Sequence, residues 1–150
     1  MKILVLNCGS SSVKYKLFNM DTHEVLAQGG VEKLGLPGSF LKFTQPDGKK
    51  VILEKEMPEH NAAIEFILSV LTDDKYGCIK SFNEIDAVGH RVVHGGEAFS
   101  SSVEITPEVI GKMVDTIRKQ CHLNFGAAGI SFVSCILCDN FALPIVVHNL

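Results

Sequence analysis

The stretch that decides the fold runs from Met1 to Phe18 and reads MKILVLNCGSSSVKYKLF. Its apolar first part is typical of a buried strand, and an alternation of apolar and polar residues resumes at Val13. Between the two lie small or polar residues, Asn7 to Ser12, whose turn exposes backbone N–H groups and hydroxyls. Such a turn is a concavity suited to anions, Gly9 permits close approach of the backbone, and Lys14 adds a positive charge. The stretch therefore predicts a β-hairpin with a phosphate-binding loop, the alternative being a serine-rich hairpin without a ligand.

Composition describes a single domain that folds around a hydrophobic core. The chain has 150 residues, of which 46% are hydrophobic and 21% are charged, and its net charge is −3. Because no run of Lys or Arg is present, nucleic acid is excluded as an expected partner. No secretion signal is visible, and the longest weakly polar stretch, 125–138, is too short to span a bilayer. We therefore expect a cytoplasmic protein without a membrane partner, whose five Cys residues are reduced thiols.

The order of predicted elements indicates an α/β fold with a mixed β-sheet. Residues 1–60 form an antiparallel meander, in which an extended segment over 24–34 is broken by Gly29-Gly30. A helix capped by Asn61 runs to Leu71, and its apolar positions recur at helical spacing. A buried strand follows over 85–93, and Thr106 caps the next helix. The later strands are joined by helical crossovers of the βαβ type.

A second informative string, GHRVVHGG over 89–96, lies at the end of that buried strand. Ligands of α/β sheets usually bind at strand ends. Arg91 is able to pair with a carboxylate or phosphate through two hydrogen bonds, and the closing Gly pair lets the backbone approach a ligand. A structural ion pair is the alternative role for Arg91. His90 and His94 do not share a helical face, so this pair is not expected to bind a metal.

Together, NCGSSSVKY over 7–15 and GHRVVHGG over 89–96 closely resemble the two N-terminal signatures of the acetate kinase family. That family belongs to the superfamily of actin-like ATPases and sugar kinases, so the resemblance implies a ribonuclease-H-like domain. It also implies transfer of the γ-phosphoryl group of ATP to acetate with the help of Mg²⁺, giving acetyl phosphate and ADP. The resemblance places Asn7 at the magnesium and phosphate site, Ser10, Ser12 and Lys14 at the nucleotide phosphates, Arg91 on the acetate carboxylate and Val93 at its methyl group.

The match is convincing over 1–115, whereas 116–150 diverges from the family pattern. His122 keeps the family spacing and is a possible catalytic residue. Asn149 stands where the family has a catalytic Asp, and an amide cannot take up a proton in its place. We expect one domain over 1–150 with the second domain of the family absent, and therefore no activity in this chain alone. The divergent part is interpreted either as natural divergence or as the product of a frameshifted or truncated gene.

Several functional interpretations remain open at this point. The first is an acetate kinase-like phosphotransferase acting on acetate or another short-chain carboxylate, and a propionate kinase-like enzyme is a variant of it. The second is a non-catalytic remnant or fragment that binds phosphate or nucleotide weakly. The third is a partner protein or homo-oligomer, because the apolar residues after Thr116 would lack a second domain to cover them.

Overall fold

The computed structural model describes residues 1–45, 47–91, 102–104, 106 and 108–109. Within these ranges the chain forms a β-sheet, one complete α-helix, a short 3₁₀ turn and, at residues 108–109, the first residues of a second helix. The strands are β1 (Lys2–Cys8), β2 (Val13–Asn19), β3 (Glu24–Glu32), β4 (Phe40–Thr44), β5 (Lys50–Glu54) and β6 (Ala87–Arg91), the helix is α1 (His60–Leu71), and the 3₁₀ turn is Phe82–Glu84.

The six strands form one mixed sheet in the order β5-β4-β3-β2-β1-β6. The first five are an antiparallel meander, as the sequence predicts. The chain then crosses through α1 and returns to add β6 parallel to β1. The α/β fold with a mixed sheet and a helical crossover is therefore confirmed. It places the ends of β1 and β6, which carry the two sequence motifs, side by side.

The hydrophobic core lies on one face of the sheet, where α1 packs. The alternation in β1 sends Leu4, Leu6 and Cys8 into this core and leaves Asn7 on the opposite face, since successive strand residues point to opposite sides. The apolar positions predicted for α1 are all buried. No helix in the described part of the chain is long and apolar enough to cross a membrane.

The start of α1 differs from the prediction by one residue. The helix begins at His60 and its N-cap is Glu59, not Asn61. Glu59 has extended backbone angles and its carbonyl accepts from Ala63 N at 3.2 Å, whereas its side chain makes no capping bond. Asn61 is exposed and already helical. Tertiary packing of the helix thus sets its start here, rather than a side-chain cap.

The predicted break at Gly29-Gly30 is wrong, because β3 runs through both residues without interruption. A Cβ atom built on Gly29 would lie 2.5 Å from Lys42 O and 2.6 Å from Phe43 Cβ. Gly29 therefore belongs to the strand because β4 leaves no room for a side chain there.

We expect Gly29→Ala to lower the free energy of unfolding by about 1–3 kcal/mol, because the new methyl group forces β3 and β4 apart. Gly89→Ala is the matched control, since among the described residues a Cβ there meets only Val5 Cγ2, at 3.9 Å. Urea unfolding followed by far-UV circular dichroism measures both variants. Equal stabilities for the two variants would contradict this account of Gly29.

The register of β6 on β1 is set where the two strands begin. Lys2 N donates to the Asp86 carboxylate at 2.6 Å, and Asp86 N donates to Lys2 O at 2.9 Å. Lys2 Nζ also pairs with Glu84, whose pKa is lowered by that hydrogen bond and by backbone N–H donors. These contacts place Ala87 opposite Ile3, and the pairing continues to the far ends of both strands.

Past β6, the described residues include the predicted start of the next helix. Val109 N donates to Thr106 Oγ1 at 3.2 Å, which is the bond expected of a threonine N-cap. The prediction that Thr106 caps a helix is therefore confirmed.

Candidate phosphate and acceptor site

The loop between β1 and β2 is a tight turn from Gly9 to Ser12. Gly9 N donates to Ser12 O at 2.8 Å, and the reciprocal bond from Ser12 N to Gly9 O is absent among the described residues. Within the same ranges, the N–H groups of Ser10 and Ser11 donate no backbone hydrogen bond either. Ser10 and Ser11 are exposed and Ser12 is half-buried. The turn therefore presents three consecutive N–H groups for which the described part of the chain supplies no backbone acceptor.

Two carbonyl groups of this turn accept hydrogen bonds from residues outside the turn. Gly9 O accepts a hydrogen bond from His60 Nε2 at 2.7 Å. Ser11 O accepts one from Leu34 N at 2.9 Å. No peptide bond among the described residues is cis, and in a trans peptide the N–H points opposite to the C=O. The N–H groups of Ser10 and Ser12 consequently point away from His60 and Leu34.

The strand pairing brings three of the predicted site residues together. Asn7 is the register partner of Arg91 on β6 and of Lys14 on β2. Residues directly paired across a sheet emerge on the same face, and neighbouring strands are about 4.8 Å apart. Arg91, Asn7 and Lys14 therefore form a continuous row on the face opposite α1, next to the turn. We call this the polar row.

The same face continues as a groove across β2, β3 and β4. Its volume is about 450 Å³, and Asn7 and Lys14 lie among the residues that line it. Lys16 and Lys42 add two positive charges to the lining and Glu32 adds one negative charge. The excess of positive charge favours an anion at this face.

His90 occupies the other side of the sheet from the polar row. It follows Gly89 in β6, pairs with Leu6, and is only 3% exposed. The pKa of His90 is lowered to about 4, mainly by burial and to a smaller extent by the charge of His60, while a hydrogen bond with the Arg91 backbone opposes the shift. His90 is therefore a neutral residue of the core at pH 7.

Sequence reasoning missed His60. It precedes Ile64, Ile67 and Leu71 by 4, 7 and 11 positions, so it continues the buried stripe of α1 toward the loop. That spacing is the signal in the sequence, but nothing in it indicates that a carbonyl of the loop lies within reach.

Three predicted site residues lie outside the described residues, namely Val93, His122 and Asn149. The structure places Asn7, Lys14 and Arg91 in the polar row and Ser10 and Ser12 in the adjoining turn.

A mixed sheet in which an antiparallel meander is followed by a helical crossover to a parallel strand is the arrangement of an actin-like ATPase domain. The family model described as "Acetokinase family" matches residues 2–143. The chain belongs to the acetokinase family.

Similar proteins agree with that assignment. The acetate kinase of Porphyromonas gingivalis is 77% identical over 117 residues, which are 78% of this chain and 29% of that protein. The acetate kinase of Phocaeicola vulgatus is 59% identical over 138 residues, or 91% of this chain and 35% of that protein. The chain thus spans about a third of the length of these relatives.

Solved structures give the same result. The crystal structure of Porphyromonas gingivalis acetate kinase matches with a TM-score of 0.82 and 60% identity, covering 91% of this chain and 37% of that chain. A propionate kinase from Francisella tularensis matches with a TM-score of 0.73 and 27% identity, over 91% of this chain and 36% of that chain.

Proposed function

We propose that this chain is the phosphate- and acceptor-binding part of an acetate kinase, which transfers the γ-phosphoryl group of ATP to acetate and forms acetyl phosphate and ADP. One observation carries the proposal. Arg91, Asn7 and Lys14 are adjacent register partners on one face, beside a turn whose Ser10 and Ser12 N–H groups point outward. Membership of the acetokinase family supports the same reaction.

The proposed roles follow from the chemistry of each group. The turn N–H groups, the hydroxyls of Ser10 and Ser12 and the Lys14 ammonium bind the nucleotide phosphates. Arg91 binds the acceptor carboxylate, because a guanidinium offers two parallel N–H groups to its two oxygens. Phosphoryl transfer depends mainly on positioning and on neutralising charge. The polar row meets both requirements, because it binds the phosphoryl donor and the acceptor on neighbouring strands and supplies positive charge to each.

The residues of the site are compatible with Mg²⁺ bound largely through phosphate and water. No group of three or more His, Cys, Asp or Glu side chains in the described ranges could hold a metal. The half-buried Asn7 offers an amide oxygen beside the turn, and Mg²⁺ commonly keeps several waters and binds substrate phosphates. When bound, the ion would neutralise negative charge on the phosphate oxygens.

Propionate is a second candidate acceptor, because a propionate kinase is among the similar structures. It differs from acetate by one methylene, and Val93 is proposed to line the pocket for that end of the acceptor. Parallel titrations with acetate and propionate compare the two. A Kd for propionate equal to or below that for acetate would favour the second candidate.

The proposal is tested by titrating the chain with MgATP and, separately, with inorganic phosphate, using calorimetry and amide chemical shifts. We expect both to bind at the β1–β2 turn, with shifts at Ser10 and Ser12. Absence of heat and of shifts at millimolar nucleotide would refute the proposal.

Lys14→Ala should weaken phosphate and MgATP binding about 10-fold, because a charged hydrogen-bond donor beside the turn is removed. Lys16→Ala is the matched control. Lys16 has the same charge, strand and face, but it lies two residues farther from the turn and pairs with Val5. Equal losses in the two variants would indicate a general charge effect and not a phosphate site.

A polypeptide of these 150 residues is expected to bind without turnover. Because it spans only about a third of its relatives, it lacks groups that they contribute beyond it. Trapping acyl phosphate with hydroxylamine measures turnover in the presence of MgATP and acetate. Product above the background of an Arg91→Ala variant would contradict this expectation.

A further inference from the structure

We propose that His60 is a positioning residue that orients the Ser10 N–H for an anion through the Gly9–Ser10 peptide. This inference rests on the proposed function for the identity of the anion, a phosphate. The contact between His60 and the loop is a property of the fold itself.

The hydrogen bond to His60 replaces a bond of the turn. In a two-residue hairpin turn, the carbonyl of the first residue usually accepts from the N–H of the fourth. Here Gly9 O accepts from His60 Nε2 at 2.7 Å, and Ser12 N does not donate to it. His60 therefore frees the Ser12 N–H from the turn while satisfying the Gly9 carbonyl.

The same bond fixes the direction of a second N–H group. The Gly9–Ser10 peptide is planar and trans, so pulling Gly9 O toward α1 turns Ser10 N–H to the opposite side. Leu34 N acts in the same way on Ser11 O and thereby on Ser12 N–H. Backbone N–H groups whose directions are fixed in advance bind an anion at a lower ordering cost than the same groups in a mobile turn.

The ring of His60 has a rigid support. It lies at the first position of α1, one turn before Ile64, on the side of the helix that is buried against the sheet. His60 itself is half-buried. A carbonyl oxygen only accepts hydrogen bonds, so Nε2 carries the proton and donates. Both the neutral Nε2–H tautomer and the imidazolium ion provide this donor.

Two substitutions separate positioning from simple loss of structure. In His60→Gln, the amide nitrogen reaches the place of Nε2 and is able to donate to Gly9 O. In His60→Asn, the amide is shorter and matches the position of Nδ1, so it does not reach. The pair keeps a polar, uncharged side chain at the helix start and differs in reach.

The experiment uses the ¹⁵N-labelled full chain and inorganic phosphate as probe. The {¹H}–¹⁵N NOE of Ser10, measured without ligand, reports the order of the turn, and amide shifts report the Kd for phosphate. We expect His60→Asn to lower the NOE of Ser10 more than that of Ser12 and to weaken phosphate binding about 5- to 10-fold. His60→Gln should stay within about twofold of the original chain in both measurements.

The possible results separate this inference from the proposed function. An unchanged Ser10 NOE in His60→Asn overturns the inference, as does a lowered NOE with unchanged phosphate affinity. A lowered Ser10 NOE restored by Gln, in a chain that binds no phosphate, supports positioning by His60 and overturns the proposed function.

If His60→Asn does not fold, the scalar coupling across the hydrogen bond from His60 Nε2 to the Gly9 carbonyl carbon decides in the original chain. An Nδ1–H tautomer without that coupling would overturn the inference.

Discussion

Acidification from pH 7 to pH 4 is expected to lower the free energy of unfolding by about 3 kcal/mol through His90 alone. Burial holds the pKa of His90 at about 4 in the folded chain, against an ordinary value of 6.5. Between these two values the unfolded chain binds one more proton than the folded chain. The stability that the chain gains from a neutral His90 is therefore fully present above pH 6.5. It is lost progressively as the pH falls toward 4. Urea unfolding at several pH values measures the slope.

His90→Gln is the control for this prediction. Gln is neutral at every pH in the range and is close in size, while the carboxylates that titrate near pH 4 are the same in both proteins. The difference between the two slopes then isolates His90. His60→Gln adds a second comparison, because the charge of His60 is a smaller cause of the lowered pKa. Parallel pH curves for the original chain and His90→Gln would refute the prediction.

The local parts of the fold were predictable from the sequence because local signals determine them. Alternation in 13–17 correctly indicated a strand with Lys14 on its exposed side. Small residues correctly marked the turn that begins at Gly9. In α1, the helical spacing of apolar residues identified the buried face, but the cap at Asn61 was wrong because packing and not capping sets the start.

Features that depend on strand pairing could not be predicted in the same way. Gly29 appeared to be a breaker, and only the approach of β4 reveals that the strand requires a residue without a Cβ. The motifs around Asn7 and Arg91 are more than eighty positions apart, and their adjacency follows from the parallel register of β6 on β1. The contact of His60 with Gly9 joins elements 51 positions apart. Local patterns contain no information about such a contact.

Arg91→Ala is expected to weaken acetate binding at least 10-fold, the largest effect of any single substitution in the polar row. The guanidinium is exposed, always charged and shaped to pair with both oxygens of a carboxylate, and Ala removes every donor. Arg91→Lys keeps the charge but loses the planar fork, so its affinity should fall between those of the original chain and Arg91→Ala. Titration with ¹³C-acetate, followed by NMR, measures all three.

Lys42→Ala supplies the matched control for Arg91. Lys42 is also exposed and lies on β4, on the same face as the polar row. It follows Lys14 through the register pairs Lys14–Gly30 and Gly30–Lys42. Four strand spacings, about 19 Å, separate it from Arg91. If acetate responds only to the net charge of the face, Arg91→Ala and Lys42→Ala will weaken binding equally, and the acceptor role of Arg91 is wrong. If acetate pairs with the guanidinium itself, Lys42→Ala will stay within about twofold of the original chain, because screening at physiological salt largely removes the effect of a charge at that distance. Arg91→Ala should weaken acetate binding more than Lys14→Ala does, and Lys14→Ala should weaken phosphate binding more than Arg91→Ala does. That reversal is expected because the turn beside Lys14 and the Arg91 end of the polar row would serve the two halves of one transfer reaction.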